Sequence, residues 1–84
     1  RVNAICPGTV VTTLTEITPE MEKKLIGVTP LRRLSTPEDI ANVVTFLASD
    51  KARMIAGTSI DIDGGQRLGF LDWETYVKVR KGLR

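Results

Sequence analysis

Few side chains in this sequence are of the types that perform catalysis or bind metals. Histidine is absent and Cys6 is the single cysteine, so the chain contains no Ser–His or Cys–His nucleophilic pair. The same counts exclude an internal disulfide and a tetrahedral structural zinc site. Cys6 stands in an apolar run, and we predict that it is an inert packing residue in a buried strand.

Asp61 and Asp63 have a spacing that suggests general acid–base work. One residue separates them, so both side chains project from the same face of an extended strand, next to the turn Gly64–Gly65. Carboxylates beside such a turn also face solvent or accept hydrogen bonds from backbone amides, and this structural role is the favoured interpretation. A calcium or magnesium site needs more oxygen ligands than the strand offers, so no metal site is predicted.

Two further sets of polar residues lie at the ends of predicted elements, one at the start of a helix and one after a strand. Arg33, Glu38 and Asp39 flank the start of a predicted helix, where acids interact favourably with the positive helix end, so we assign them to an ion-pair and capping cluster. The hydroxyl-rich segment 9–13 follows Pro7 and Gly8. Taken alone, that segment is typical of a turn that ends a strand and leaves its threonines in solvent.

Two strands are predicted to position these residues. The apolar run from Val2 to Cys6 ends at Pro7–Gly8 and favours a strand buried on both faces. The segment Thr58–Asp63 alternates and ends at Gly64–Gly65, which predicts a second strand. Because helices separate the two, their order predicts an α/β unit with a crossover helix.

Helices are predicted from three start signals. Thr18 precedes Pro19 and begins a short helix that ends by Gly27. Thr36 precedes a longer helix. Its single apolar stripe comprises Ile40, Val43, Val44, Leu47 and Ala48. A terminal helix is predicted from Asp72, and its basic residues Lys78, Arg80 and Lys81 lie near its negative end.

Composition narrows the possible classes of protein. With 84 residues the chain is one small domain at most, and a sheet of two strands is not stable alone. Because the chain also opens inside a predicted strand, we expect further sequence before Arg1. No apolar run approaches the ~20 residues of a membrane span, and the net charge of +2 with 5% aromatic residues predicts no nucleic-acid surface. The unpaired cysteine and the absence of an export signal favour a cytoplasmic location.

Four motifs in a fixed order resemble the short-chain dehydrogenase/reductase family. R-V-N-A-I-C-P-G-T-V-V-T at 1–12 is similar to the sixth strand of that family and the loop after it. P-L-R-R at 30–33 with T-P-E-D-I-A at 36–41, F-L-A-S-D at 46–50, and the D-G-G turn at 63–65 resemble its later segments. The resemblance implies the C-terminal part of a doubly wound, parallel-sheet Rossmann fold at 1–65. This part holds the last two strands, a lid helix and a long crossover helix, and a helical extension follows at 66–84.

The resemblance also implies an activity and a cofactor site. Family members transfer hydride between NAD or NADP and the carbonyl or alcohol carbon of a small substrate. The matching cofactor-binding positions are Pro7, Gly8, Thr9, Val10 and Thr12. Val10 would bind the nicotinamide carboxamide through its main chain, and the Thr12 hydroxyl would reach the carboxamide or the diphosphate. Gly8 would allow close approach of the backbone, and Pro7 would fix the turn.

Other segments take implied roles from the same resemblance. Residues 14–34 correspond to a substrate lid, in which Leu14, Ile17, Met21 and Leu25 either line an apolar pocket or pack the lid onto the body. Residues 37–62 correspond to a subunit interface of a homo-oligomer, with helix on helix and strand beside strand across a twofold axis.

The catalytic groups of the family do not match this sequence. Its glycine-rich cofactor turn, catalytic serine and Tyr-x-x-x-Lys pair are absent, and Tyr76, the single tyrosine, is followed by Arg80 at the lysine position. We therefore interpret Tyr76 as a packing residue and predict that the segment alone has no catalytic residue and no activity. The alternative is a catalytically inactive, free-standing oligomerisation or interaction module derived from the same fold.

Overall fold

The computed structural model describes residues 1–68 together with 78, 81 and 82. Strands β1 (Ala4–Pro7) and β2 (Ser59–Ile62) pair in parallel, with Ile5 opposite Ile60. Between them lie the helices α1 (Pro19–Gly27) and α2 (Pro37–Ala48). Short 3-10 turns follow α2 at Asp50–Ala52 and β2 at Gln66–Leu68. The predicted α/β unit of two parallel strands with intervening helices is therefore present.

The two faces of this sheet differ in burial. Ile5, Ile60 and Ile62 share one face and are half-buried, on the side where Ile5 borders a groove with Leu47 of α2. The opposite face is exposed and carries Ala4, Cys6, Ser59 and Asp61. The predictions of a strand buried on both faces and of a packed Cys6 are thus wrong for the described chain, because its residues cover only one face of the sheet.

α2 begins with a reciprocal cap. The backbone N–H of Asp39 donates to Thr36 Oγ1 at 3.3 Å, and the Thr36 N–H donates to Asp39 Oδ2 at 2.8 Å. This exchange satisfies donors that the first helical turn leaves without intrahelical acceptors. Along the predicted apolar stripe, Leu47 is buried and Ile40 and Val43 are half-buried, whereas Val44 and Ala48 are exposed.

α1 is capped at both ends by side chains. Thr18 Oγ1 accepts from the Met21 N–H at 3.2 Å, and Pro19 occupies the first helical position, as the sequence predicts. At the other end, the Arg32 guanidinium donates to the Gly27 carbonyl at 3.0 Å. Arg32 itself has a φ of 63°, a left-handed conformation that turns the chain away from the helix.

The first residues of the chain join β1 to the connection between α2 and β2. The Arg1 guanidinium donates to the carbonyls of Leu47 and Ile55, both at 2.7 Å. Asn3 donates through Nδ2 to Ile55 O at 3.0 Å and accepts through Oδ1 from the Thr58 N–H at 3.1 Å. These side chains hold the start of β1 beside the start of β2. The same register then places Pro7 opposite Ile62 at the carboxyl ends of the two strands.

The predicted terminal helix from Asp72, with Tyr76, lies outside the described residues apart from the exposed Lys78, Lys81 and Gly82. Among the residues that the structure describes, no helix has the length and apolarity to cross a bilayer. Within those same residues, no group of three or more acidic or cysteine side chains is arranged to hold a metal ion.

Candidate functional site

The carboxyl ends of β1 and β2 lie side by side, with Gly8 directly after β1 and Gly64 two residues after β2. The Gly8 N–H donates to Ile62 O at 3.1 Å, which continues the strand pairing past Pro7. In doubly wound α/β folds, ligands bind at this edge of the sheet. The loop that follows Gly8 is therefore the part of the described chain to consider as a binding site.

Gly8 is required by its neighbour in the fold. A Cβ at this position would lie 2.6 Å from Asp63 Cβ and 3.0 Å from Asp63 Cα. The close approach that the sequence associates with a cofactor is thus an approach to the turn after β2. The predicted contact between Gly8 and the cofactor stays a prediction.

The acidic pair at the end of β2 has structural partners. Asp63 accepts from the N–H groups of Gly65 at 2.9 Å and Arg67 at 2.8 Å, so its carboxylate closes the turn, as the favoured interpretation predicts. Asp61 forms an ion pair with Arg67 at 2.7 Å, and this hydrogen bond raises the pKa of the Arg67 guanidinium. These contacts give both acids a role in the turn rather than in acid–base chemistry.

In the loop around Val10, the backbone groups of Thr9 and Val11 bond to Ser35, whereas those of Val10 do not. The Val11 N–H donates to Ser35 O at 2.9 Å, and the Ser35 N–H donates to Thr9 O at 3.1 Å. Because backbone groups of successive extended residues point in opposite directions, Val10 turns its own N–H and C=O away from Ser35. The Val10 carbonyl accepts the Thr15 hydroxyl at 3.1 Å, while its N–H has no acceptor among the residues described.

Thr12 and Thr15 form a compact hydroxyl network beside Val10. Their Oγ1 atoms are 2.9 Å apart, and the Thr12 N–H donates to Thr15 Oγ1 at 3.2 Å. Thr12 Oγ1 in turn accepts from the Leu14 N–H at 3.2 Å. Thr12 is exposed, so the network holds a hydroxyl at the surface of the loop. The sequence did not single out Thr15, whose role depends on how the loop folds back over five residues.

A second segment is anchored on the glycine turn after β2. Thr29 is only 2% exposed, and the Leu31 N–H donates to Gly64 O at 3.1 Å. A Cβ on Gly64 would lie 2.8 Å from Thr29 Cγ2, and one on Gly65 would lie 3.0 Å from Pro30 Cγ. The end of α1 is therefore fastened to the same edge of the sheet as the loop 8–12, a contact that sequence reasoning missed. The Gly64–Gly65 pair was its one visible signal.

The predicted capping cluster is present, with Arg33 Nη2 3.2 Å from Asp39 Oδ1. The hydrogen bond from the Thr36 backbone N–H, with smaller effects of the Thr36 hydroxyl and of Arg33, lowers the pKa of the Asp39 carboxyl. Glu38 is exposed and takes no part in these contacts. The cluster orients the start of α2, as the sequence predicts.

The apolar residues of the segment 14–34 differ in exposure. Leu14 is 91% exposed and Met21 is also exposed, whereas Ile17 and Leu25 are half-buried. Ile17 and Leu25 are thus partly shielded from solvent, whereas Leu14 and Met21 project into it, and whether these residues line a pocket or pack the segment onto the body stays a prediction.

Comparison with known proteins identifies the family. Residues 1–67 match the family described as enoyl-(acyl carrier protein) reductase. The chain is 45% identical to 7alpha-hydroxysteroid dehydrogenase of Escherichia coli K12 and 42% identical to 2-(S)-hydroxypropyl-CoM dehydrogenase 3 of Xanthobacter autotrophicus, over 77% of its own length in each case. It belongs to the short-chain dehydrogenase/reductase family.

Solved structures agree with this assignment. A hydroxysteroid dehydrogenase from Escherichia coli superimposes with a TM-score of 0.73 at 45% identity, over 77% of this chain and 28% of that one. A 7alpha-hydroxysteroid dehydrogenase complexed with NADH and 7-oxo glycochenodeoxycholic acid superimposes with a TM-score of 0.71, over 77% of this chain and 26% of that one. The chain spans about a quarter of the length of the relatives that it matches, 26% and 28% of the two dehydrogenases named above.

Proposed function

We propose that this chain is the C-terminal segment of an NAD(P)-dependent short-chain oxidoreductase, and that the loop 7–12 holds the nicotinamide end of the cofactor. The backbone N–H of Val10 has no acceptor in the described part of the chain, and its carbonyl accepts one hydrogen bond, from Thr15; this pair of groups carries the proposal. A carboxamide presents one acceptor oxygen and one donor amino group, so a donor and an acceptor on the same residue match it. The family and its relatives named as dehydrogenases support the same interpretation.

The residues of the loop would share the work of orienting the nicotinamide. Val10 would bind the carboxamide oxygen through its N–H, and Thr12 would add its hydroxyl at the loop surface. Pro7, Gly8 and Thr9 would hold this backbone at the carboxyl edge of the sheet through the bonds from Gly8 to Ile62 and from Ser35 to Thr9. When bound, the cofactor would supply or accept the hydride exchanged with a carbonyl or alcohol carbon.

Two other surfaces would complete the segment's role. The segment 14–34, with Leu14 and Met21 exposed, would form the lid over a small-molecule substrate. Residues 37–62, where Val44 and Phe46 are 45% and 46% exposed, would form a subunit interface of a homo-oligomer. The catalytic serine, tyrosine and lysine and the glycine-rich turn would be supplied from outside residues 1–84.

The test is cofactor binding by the longer protein that carries this chain, compared with the 84 residues alone. We expect the longer protein to bind NADH or NADPH and to oxidise it with a carbonyl substrate, whereas the isolated segment turns over neither. In the longer protein, Thr12→Val should weaken binding about fivefold to tenfold because one hydrogen bond is lost. Thr13→Val is the matched control, because Thr13 is exposed and makes no hydrogen bond within the described chain. Turnover by the isolated segment, or equal effects of both substitutions, contradicts the proposal.

The same measurement distinguishes the alternative of a free-standing interaction module. Such a module would bind neither dinucleotide in any context and would show a cooperative thermal transition whose midpoint rises with its own concentration.

A further inference from the structure

The hydroxyl of Thr15 lies at the centre of the proposed nicotinamide loop. Its Oγ1 is 3.1 Å from Val10 O, 2.9 Å from Thr12 Oγ1 and 3.2 Å from the Thr12 nitrogen. A threonine hydroxyl has a single proton to donate and accepts through its lone pairs. This balance determines which atom donates in each of the three contacts.

The direction of each hydrogen bond follows from the Val10 carbonyl, because a carbonyl oxygen can only accept hydrogen bonds. The Thr15 hydroxyl therefore donates its single proton to Val10 O. The contact between the two hydroxyls must then be donated by Thr12. Thr12 Oγ1 also accepts from the Leu14 N–H, which leaves it a single free lone pair and no free proton.

We infer that Thr15 is a positioning residue that turns the Thr12 hydroxyl into an acceptor, directed at the amino group of the nicotinamide carboxamide and not at the diphosphate. This inference rests on the proposed function of the loop. Phosphate oxygens only accept, so a hydroxyl without a free proton has nothing to offer them. The Thr12 backbone N–H is likewise engaged by Thr15 Oγ1. An amide NH₂ group has two protons to donate, so one matches the Val10 carbonyl and the other matches the free lone pair on Thr12.

Cofactor analogues test the polarity of Thr12 without altering the protein. Calorimetric dissociation constants of the longer protein are compared for NADH and NADPH, their thionicotinamide forms, which keep the amino group, and their 3-acetylpyridine forms, in which a methyl group replaces it. The acetylpyridine forms should bind about fivefold to tenfold more weakly because they lack the donor. Equal binding of the acetylpyridine and natural forms overturns the inference. Failure to bind NADH and NADPH at all overturns the proposed function with it.

Substitutions then test whether Thr15 sets that polarity. In Thr15→Val, the Thr12 hydroxyl loses the Thr15 oxygen as its acceptor, so its proton can rotate and the hydroxyl can also act as a donor. Discrimination against the acetylpyridine form should therefore fall by about threefold. Thr15→Ser keeps the hydroxyl and should retain the discrimination of the unmodified protein. Thr13→Val controls for the loss of a loop hydroxyl as such. Unchanged discrimination in Thr15→Val, or equal loss in Thr15→Ser, overturns the positioning role while leaving the proposed function intact. If Thr15→Val does not fold, the serine variant and the analogue series decide.

Discussion

Individual residues at the carboxyl edge of the sheet are constrained by one another before any ligand is considered. Gly8 faces Asp63, and Gly64 and Gly65 face the segment Thr29–Pro30, each at distances that exclude a Cβ without movement. Asp63 closes the turn by accepting two backbone N–H groups. The edge is therefore preorganised by backbone contact, which leaves Val10 and Thr12 to present polar groups outward.

Gly64 needs glycine for two reasons, its positive φ angle and a close neighbour, and comparison with Gly57 separates their costs. Gly64 and Gly57 both have positive φ angles, 63° and 76°, but a Cβ on Gly64 would lie close to Thr29 Cγ2, whereas a Cβ on Gly57 would meet no atom of the described residues within 4 Å. Gly57→Ala should cost about 1 kcal/mol for the left-handed conformation. Gly64→Ala should cost about 1–3 kcal/mol more because the new methyl group overlaps Thr29. Urea unfolding of the longer protein measures both, and equal costs would show that Thr29 does not constrain the turn.

The carboxyl of Asp39 makes the stability of the α2 start depend on pH. Hydrogen bonds from Thr36 and the nearby Arg33 lower its pKa below the ordinary 3.8, so folding favours the ionised form. The stabilisation is present at pH values above 3.8 and is lost as the pH falls through the lower folded-state pKa. Asp39→Asn should therefore flatten the acid side of the unfolding free energy against pH. Glu38→Gln, on the same exposed helix start, is the control, and an identical acid slope for Asp39→Asn and the unmodified protein would contradict the assignment.

Among the helices and strands, sequence patterns correctly predicted the features that depend on nearby residues, namely helix caps and strand ends. The caps at Thr18 and Thr36, the end of β1 at Pro7 and the end of β2 before Gly64 depend on neighbours within a few residues, and each lies where the pattern indicates. Thr15 acting on Val10 is also local, but its contact depends on the exact course of a loop that has no repeating pattern. The anchoring of Thr29 on Gly64 joins residues far apart in the chain, and no local preference encodes it.

The start of β1 offers a test of how elements are held together. Asn3 bonds to both Ile55 O and the Thr58 N–H, so Asn3→Ala should destabilise the protein by about 1–3 kcal/mol by leaving those groups unpaired. Lys23→Ala is the control, because Lys23 is exposed on α1, outside the proposed subunit interface, and should change stability by no more than about 0.5 kcal/mol. Chemical denaturation of the longer protein gives both values, and a cost for Asn3→Ala as small as that for Lys23→Ala would refute the clamp.

For the molecule as a whole, the exposed sheet face is the main departure from the expected burial. Apolar runs such as Val2–Cys6 are typical of strands covered on both sides, yet Ala4 and Cys6 are exposed here. The chain spans about a quarter of its relatives, 26% of the steroid dehydrogenase, so the pattern fits a strand whose second covering layer belongs to the longer protein. Burial of β1 on both faces is wrong for the described residues and stays a prediction for the longer protein.

Cys6 reports directly on that second covering layer. In the native longer protein, its thiol should react with a disulfide reagent at least about tenfold more slowly than in denaturant, because helices of a doubly wound sheet would cover it. A Cys6→Ser variant identifies the signal as that of Cys6. Equal rates in native buffer and in denaturant would show that this face stays open and would contradict the placement of the segment in a doubly wound fold.

The position of the nicotinamide in a complex is the sharpest test of the proposed role of the loop 7–12. A crystal structure of the longer protein with NADH or NADPH should place the carboxamide oxygen within about 3.2 Å of the Val10 nitrogen, and the carboxamide amino group within a similar distance of Thr12 Oγ1. A nicotinamide bound away from the loop 7–12, or one whose carboxamide faces away from Val10, would contradict the proposed role of this loop.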